Sequence, residues 1–428
     1  MGLCMKRILF ALPAILLAGC APAATTAPGE AATAEAPALS PAETLHQNLM
    51  VLDSHLDTPA YFHTAEYTFS KRGSFEADGT HVDLPRMIEG GLDGGFWVIF
   101  TTQGPLDDAS LNAARTAAIL RQISIREFAA KYANDVELAF SAADAERIFA
   151  SGKKIVFQSM ENSYPLGKDA TLLETFYAGG LRMVAPVHFR NNQFADSATD
   201  VTPAFGGLSP AGEELVREAN RLGLILDGSH ASDDSVRDML ALSTTPIILS
   251  HSGPKGVYDH PRNLPDDLLK AIADDGGVIQ VNAYGAYLEA LTATPERLAA
   301  IAALDAEYGT DTSTMTAETI AAYRAARDEM DKSFPPPRST FEKFMEHLLY
   351  TLELVGPDHV GIGADWDGGG GVDGMTDITD LPKVTAALLE AGYSEDDLAK
   401  IWGGNMLRLM REVEAAKTAT VSSPVPLN

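Results

Sequence analysis

The chain has 428 residues, 46% of them hydrophobic, which is enough to bury a large core, and 32 basic against 59 acidic residues give a formal charge of −27. A surface of that sign repels nucleic acid and anionic lipid headgroups, which argues against both as partners. The only cysteines are Cys4 and Cys20. The body therefore has neither a disulfide nor a thiolate metal site, and any metal must be held by histidine and carboxylate.

Lys6-Arg7 precedes an apolar stretch, Ile8 to Leu17, that is too short to span a bilayer as a mature helix. It ends in Leu17-Ala18-Gly19-Cys20, which resembles the lipobox of bacterial lipoproteins. The resemblance implies a signal peptide over residues 1–20 and a lipidated Cys20 as the mature N-terminus. It also implies a place in the bacterial cell envelope facing the periplasm. A plain secretory signal cut after an Ala-x-Ala site is the competing reading. Ala21, in place of Asp after the cysteine, points by the same resemblance to the outer membrane. Residues 21–44 are rich in Ala, Pro, Thr and Glu without apolar periodicity, which predicts a flexible tether. Membrane contact is expected through this anchor alone.

The body, residues 45–415, repeats one pattern: a short apolar run, a polar cluster, then a helix-like stretch. The runs are Leu49–Asp53, Gly95–Phe100, Lys154–Gln158, Met183–Val187, Gly223–Leu226, Pro246–Leu249, Gly277–Val281 and His359–Gly363. Helical periodicity follows over Leu111–Lys131, Ala211–Arg221, Asp233–Leu242 and Pro265–Asp274. Continuous apolar runs are the mark of buried parallel strands, and eight strand–helix units predict a closed (β/α)8 barrel of the TIM type. A doubly wound open sheet would place a Gly-rich phosphate loop after its first strand, where Asp53-Ser54-His55-Leu56-Asp57 stands instead. Residues 287–339, Ala/Glu-rich and ending near Pro335-Pro336-Pro337, read as a helical insertion. It is a surface excursion, a lid, or a contact between two copies in a homodimer. Residues 416–428 read as a disordered tail.

The polar clusters carry the chemistry. His55 and Asp57 end the first strand as His-x-Asp, which sets both side chains on one face of an extended strand. Glu161 ends the third, His188 the fourth, His230 the fifth, His251 the sixth and Asp365 the eighth. Singly, such residues are more often packed histidines or turn aspartates. Together they would meet at the C-terminal mouth of a barrel, where barrel enzymes keep their catalytic groups. Neutral imidazoles with carboxylates form an N/O ligand set suited to zinc, and one carboxylate can bridge two ions.

The ordered set His55-x-Asp57, Glu161, His188, His230, Ser250-His251-Ser252, Arg262-Asn263-x-Pro265-Asp266 and Gly363-x-Asp365-x-Asp367-Gly368 resembles the membrane (renal) dipeptidase family. The likeness runs from about Val51 to Arg408 and includes His81-Val82-Asp83-Leu84-Pro85. It implies a dinuclear zinc dipeptidase, Zn2+ bound twice per chain, acting on small dipeptides that include some with a C-terminal D-residue. His55 and Asp57 would bind one ion, His230 and His251 the other, with Glu161 bridging. His188 would stabilise the developing oxyanion and contact the substrate. Arg262 would pair with the substrate's C-terminal carboxylate, and Asp365 would handle protons. Tyr284 would be a further substrate contact or a packed barrel residue. Asn162-Ser163-Tyr164-Pro165-Leu166 departs from the Gly-Gly-His typical of animal members, which alters one wall of the pocket. His63, His81, His260, His347 and His359 are left unassigned: His81 is a candidate to support the ligands from behind, but each reads first as a structural residue. The competing readings are the same zinc site acting on another amide or an ester, and a non-catalytic binding lipoprotein.

Overall fold

Each of the eight apolar runs becomes a parallel strand in the computed structural model, which describes residues 39–64, 67–309 and 317–420. The strands are β1 (Leu52–Leu56), β2 (Gly94–Phe100), β3 (Lys154–Glu161), β4 (Leu181–Val184), β5 (Ile225–Leu226), β6 (Ile248–Pro254), β7 (Val278–Val281) and β8 (Val360–Ile362). One ladder runs β1-β2-β3-β4-β5 and another β8-β7-β6. Single bridges join them, Asp227 to Ile248 between β5 and β6, and Leu56 to Trp366 between β1 and the end of β8. Main-chain bonds hold these seams: Gly228 N–H donates to Ile248 O at 2.8 Å and Asp57 N–H to Trp366 O at 2.9 Å. The result is the expected closed barrel.

Every strand is followed by at least one helix, among them α1 (Leu84–Glu89), α2 (Asp108–Lys131), α3 (Leu173–Gly179), α4 (Pro210–Leu222), α5 (Asp233–Leu242), α6 (Asp266–Asp274), α7 (Phe341–Val355) and α8 (Leu381–Glu390). Their ends are written locally. Ser232 Oγ accepts the Ser235 N–H at the start of α5, while α4 begins Ser209-Pro210 and stops at Gly223 in the left-handed region. In the N-terminal halves of the strands, Leu52, Phe96, Phe157, Met183, Ile225, Ile248 and Val278 pack with Met406, Leu409 and Met410 of the C-terminal helix Asn405–Ala416. That end of the barrel is filled with apolar side chains. The opposite mouth is left for chemistry.

Several boundaries differ from the sequence reading. A helix, Pro41–Asn48, with a capping box on Ser40 and Glu43, occupies the end of the expected tether and moves β1 three residues downstream. Two short strands were not foreseen: Val136–Leu138 beside β3 and Asn263–Leu264 beside β6. Past Ala416 the chain still holds to the body, with Thr418 and Ala419 N–H groups donating to Arg221 O and Lys417 Nζ to Tyr177 Oη. Residues 421–428 of the expected tail lie outside the described residues. The 287–339 stretch is helical, over Pro295–Tyr308 and Ala317–Ser333, and its base is tied to the loop after β8 by the Asp373 N–H bond to Ser339 O. Cys20 and the signal segment lie outside the described residues. Among those described, no helix is long and apolar enough to cross a membrane.

Candidate active site

The C-terminal ends of the strands bring the predicted residues to one cavity of about 360 Å3, lined among others by Asp57, Glu161, His188, His230, His251, Tyr284 and Asp365. Glu161, the last residue of β3, is the centre. Its Oε2 lies 3.7 Å from His55 Nε2, and His55 Nε2 lies 3.2 Å from Asp57 Oδ2 and 3.9 Å from Asp365 Oδ1. Its Oε1 faces the other way, 3.1 Å from His230 Nε2 and 3.6 Å from both His251 Nε2 and His188 Nε2. The two Nε2 atoms of His230 and His251 are 2.9 Å apart. One carboxylate thus gives each of its oxygens to a separate group of nitrogen and oxygen donors.

These donors fit cations better than they fit one another. Both ring nitrogens of His55 and Nδ1 of His230 are buried with no hydrogen-bond partner. Burial holds His230 and His251 well below the usual imidazole pKa, with the Arg262 charge acting in the same direction, and it pushes His188 down to about 3. Neutral rings keep the lone pairs that a metal needs. On the other side, burial raises the Glu161 and Asp365 carboxyls. Burial also opposes charge on His55, but Glu161, Asp57 and Asp365 outweigh it and lift the ring to about 10. A buried carboxylate group that draws a proton onto its histidine is short of positive charge, which divalent ions would supply.

Four described non-glycine residues have positive φ: Asn162, His230, Asp365 and Asp367, at 64° to 69°. All lie at or beside this site, where the chain turns out of a strand and aims a side chain inward. At Asn162 the φ of 69° is one that glycine adopts freely. Asn162 uses its amide oxygen to accept from Tyr164 N–H and Asn192 Nδ2, so the altered wall is hydrogen-bonded in place.

Two buried aspartates missed by the sequence reading set the ligands. Asp53 accepts the His55 N–H through Oδ1 and the Ala364 N–H through Oδ2, tying β1 to the residue that precedes Asp365. Asp227 accepts the N–H groups of Ser229 and Ser250 through Oδ1, and the Ser250 hydroxyl through Oδ2 at 2.6 Å. Ser250 Oγ is then left to accept from His251 Nδ1 at 2.8 Å, which puts the ring proton on Nδ1 and the lone pair on Nε2, toward Glu161. An aspartate closing an apolar run reads as a turn residue; its partners here are main-chain atoms of a neighbouring strand.

Arg262 is fully buried. Its Nη2 donates to His251 O at 2.8 Å, its Nη1 to Ser252 Oγ at 3.3 Å, and its Nε has no partner. The guanidinium stands 5.2 Å from the Tyr287 ring, and no carboxylate of the described residues pairs with it. Tyr284 is on the cavity wall, as are Phe100, Phe189 and Tyr287, three rings at or beyond the ends of separate strands that the sequence reading did not single out. Phe100 and Phe189 flank the His188 ring at 5.0 and 3.9 Å. The other histidines pack elsewhere: His347 Nε2 meets Leu288 O and His359 Nδ1 meets Gly277 O.

The donor set, the barrel mouth and the buried guanidinium define a metallopeptidase site. The profile of the membrane dipeptidase family (Peptidase family M19) matches residues 39–424. The chain belongs to that family, and it is a metallodipeptidase by type. Dipeptidase tcpJ of Claviceps purpurea is 31% identical over 339 residues, 78% of this chain and 69% of that protein. Among solved structures, the probable dipeptidase PvdM from Pseudomonas aeruginosa shares 33% identity with a TM-score of 0.75, over 88% of this chain and 98% of that one. A metallo peptidase from Rhodobacter sphaeroides, liganded with a phosphinate mimic of the dipeptide L-Ala-D-Ala, shares 25% with a TM-score of 0.66, over 85% of this chain and 99% of that one.

Proposed function

We propose that this chain hydrolyses dipeptides, including those with a C-terminal D-residue, at a pair of zinc ions. The observation that carries the reading is Glu161, whose two oxygens face two separate ligand groups. His55 and Asp57 would hold one ion and His230 and His251 the other, with Glu161 between them. Imidazole and carboxylate without thiolate suit zinc in a site of this kind. Bound there, the ions would polarise the scissile carbonyl and acidify a water.

The chain's own groups do the rest. Asp365, whose carboxyl burial raises, accepts the proton of the attacking water and passes it to the leaving amine. His188 stays neutral and offers an N–H to the developing oxyanion. Arg262 supplies the charge that a free substrate carboxylate needs, which favours a dipeptide over another amide or an ester. Tyr284 forms the wall beside the substrate. The L-Ala-D-Ala mimic held by the Rhodobacter sphaeroides relative supports acceptance of a D-residue at the C-terminal position. The lipobox-like Leu17-Ala18-Gly19-Cys20 supports a lipid-anchored protein of the bacterial envelope. Cys20→Ala should then release the protein from the membrane fraction.

The test is hydrolysis of an L,L and L,D dipeptide panel by protein that begins after residue 38. Activity abolished by a chelator and restored by two equivalents of zinc is expected. Full activity in metal-free protein, or cleavage of C-terminal amides as fast as free dipeptides, would overturn the proposal.

A further inference from the structure

Tyr284 and the turn after β8 also line a second cavity, of about 320 Å3, walled on its other sides by Phe75, His81, Gly371 and the Pro336–Arg338 end of the 287–339 stretch. Two of its polar groups are unsatisfied. His81 is buried, 4% exposed, and its Nδ1 accepts the Asp367 N–H at 3.0 Å and lies 3.2 Å from Asp367 Oδ1. With Nδ1 accepting, the ring proton falls on Nε2, and that N–H is buried with no acceptor. Arg338 lays its guanidinium over the Phe75 ring at 4.4 Å and pairs through Nε with Asp373 at 3.1 Å, while its Nη2 is buried with no acceptor. Both donors stand beside Gly371. A Cβ on Gly371 would stand 3.0 Å from Thr376 O, 3.3 Å from His81 Nε2 and 3.4 Å from Arg338 Nη2, and the φ of +90° at Gly371 keeps such a side chain out.

Two buried donors without partners, on residues that line one cavity, mark a place for an acceptor. A guanidinium edge beside an imidazole N–H matches the two oxygens of a carboxylate. Asp373 is 67% exposed, so solvent screens its hold on the Arg338 charge. We propose that this cavity is a carboxylate-binding pocket adjoining the reaction cavity, with His81 Nε2–H and the Arg338 guanidinium as its donors. The carboxylate is either an acidic side chain of the dipeptide, reaching past Tyr284, or a separate small carboxylic acid. The first source rests on the dipeptidase reading; the second does not.

Both sources are tested on the protein from residue 39 onward, unmodified and as Arg338→Met. Dipeptides with Glu at either position are compared with their Gln isosteres, and succinate is titrated by calorimetry. For a side-chain source, kcat/KM favours Glu over Gln in the unmodified protein, and Arg338→Met removes about a tenfold advantage while Gln substrates are cleaved as before. For a free acid, succinate binds the unmodified protein and not Arg338→Met, and the Glu/Gln ratio stays put. Continued cleavage of Gln substrates shows that the variant is folded, and the unmodified protein alone decides both arms should it not be. Neither a Glu preference nor succinate binding, or either one unchanged in Arg338→Met, overturns the pocket. Absence of all dipeptide cleavage would sink the dipeptidase reading instead, and succinate would still decide the pocket.

Discussion

In Asp227→Asn the side chain keeps one oxygen for the Ser229 and Ser250 N–H groups, both bound through Oδ1 at 2.9 Å, so the β5–β6 seam stays closed. The other arm becomes an NH2 group, which donates where Oδ2 accepted from Ser250 Oγ at 2.6 Å. Ser250 must then turn its own proton toward His251 Nδ1, 2.8 Å away. A neutral His251 would have to carry its proton on Nε2, the nitrogen that faces His230 and Glu161. The lone pair for the metal is lost unless this chain of bonds breaks. Substitutions of such supporting groups weaken metal binding about 10- to 100-fold, or about 1.4–2.7 kcal/mol. Titrating metal-free protein with zinc against a chromophoric chelator should show one of two sites weakened by that factor, with an unchanged urea midpoint. Ser250→Ala should do the same, and the double variant should be little worse than either single one, because both cut one relay. Two sites of unaltered affinity in folded Asp227→Asn would refute the relay.

Asp53→Asn should behave differently, since each Asp53 oxygen holds its own N–H, from His55 and from Ala364. An amide there faces donor to donor, and the urea midpoint should fall by the equivalent of about 1–3 kcal/mol; an unchanged midpoint would count against the seam. Arg262→Met should lower kcat/KM about a hundredfold for dipeptides with a free carboxylate and leave residual cleavage of C-terminal amides nearly alone. Equal losses on both would reduce Arg262 to a prop under His251. His46, buried against Gly90 O and Thr385 Oγ1, has its pKa pushed down to about 4 by burial. Between about 4 and 6.5 the unfolded chain takes up a proton that the folded one does not. The stability it contributes is therefore complete above pH 6.5 and is lost as pH falls, by at most about 3 kcal/mol. His46→Gln should flatten that part of a urea-midpoint profile, and parallel profiles would refute the assignment.

The strands were legible because a strand covered on both faces is apolar throughout, as β2 and β8 are, and no such run failed to pair. The start of β1 was misplaced because Leu49 and Met50, apolar like a strand, leave the Pro41–Asn48 helix, whose capping box the tether composition hid. The candidate ligands were legible because barrel topology sends every strand end to one mouth. Asp53 and Asp227 were not, since a sequence does not show which distant main-chain N–H a carboxylate will meet; Asp53 and Ala364 are 311 residues apart. The aromatic wall was equally hidden, its rings standing at the end of β2 and beyond the ends of β4 and β7.

A ring joined at two thin seams is also two arcs. The first, β1 to β5, and the second, β6 to β8, are each a continuous piece of chain, and they divide in the connection between Leu242 and Ile248. The first arc carries His55, Asp57, Glu161, His188 and His230; the second brings His251, Arg262 and Asp365. Neither piece owns a complete reaction centre. Fragments made by cutting that connection would regain hydrolysis only by reassociating edge to edge, and the ions they trap between them would act as the rivets of the joint.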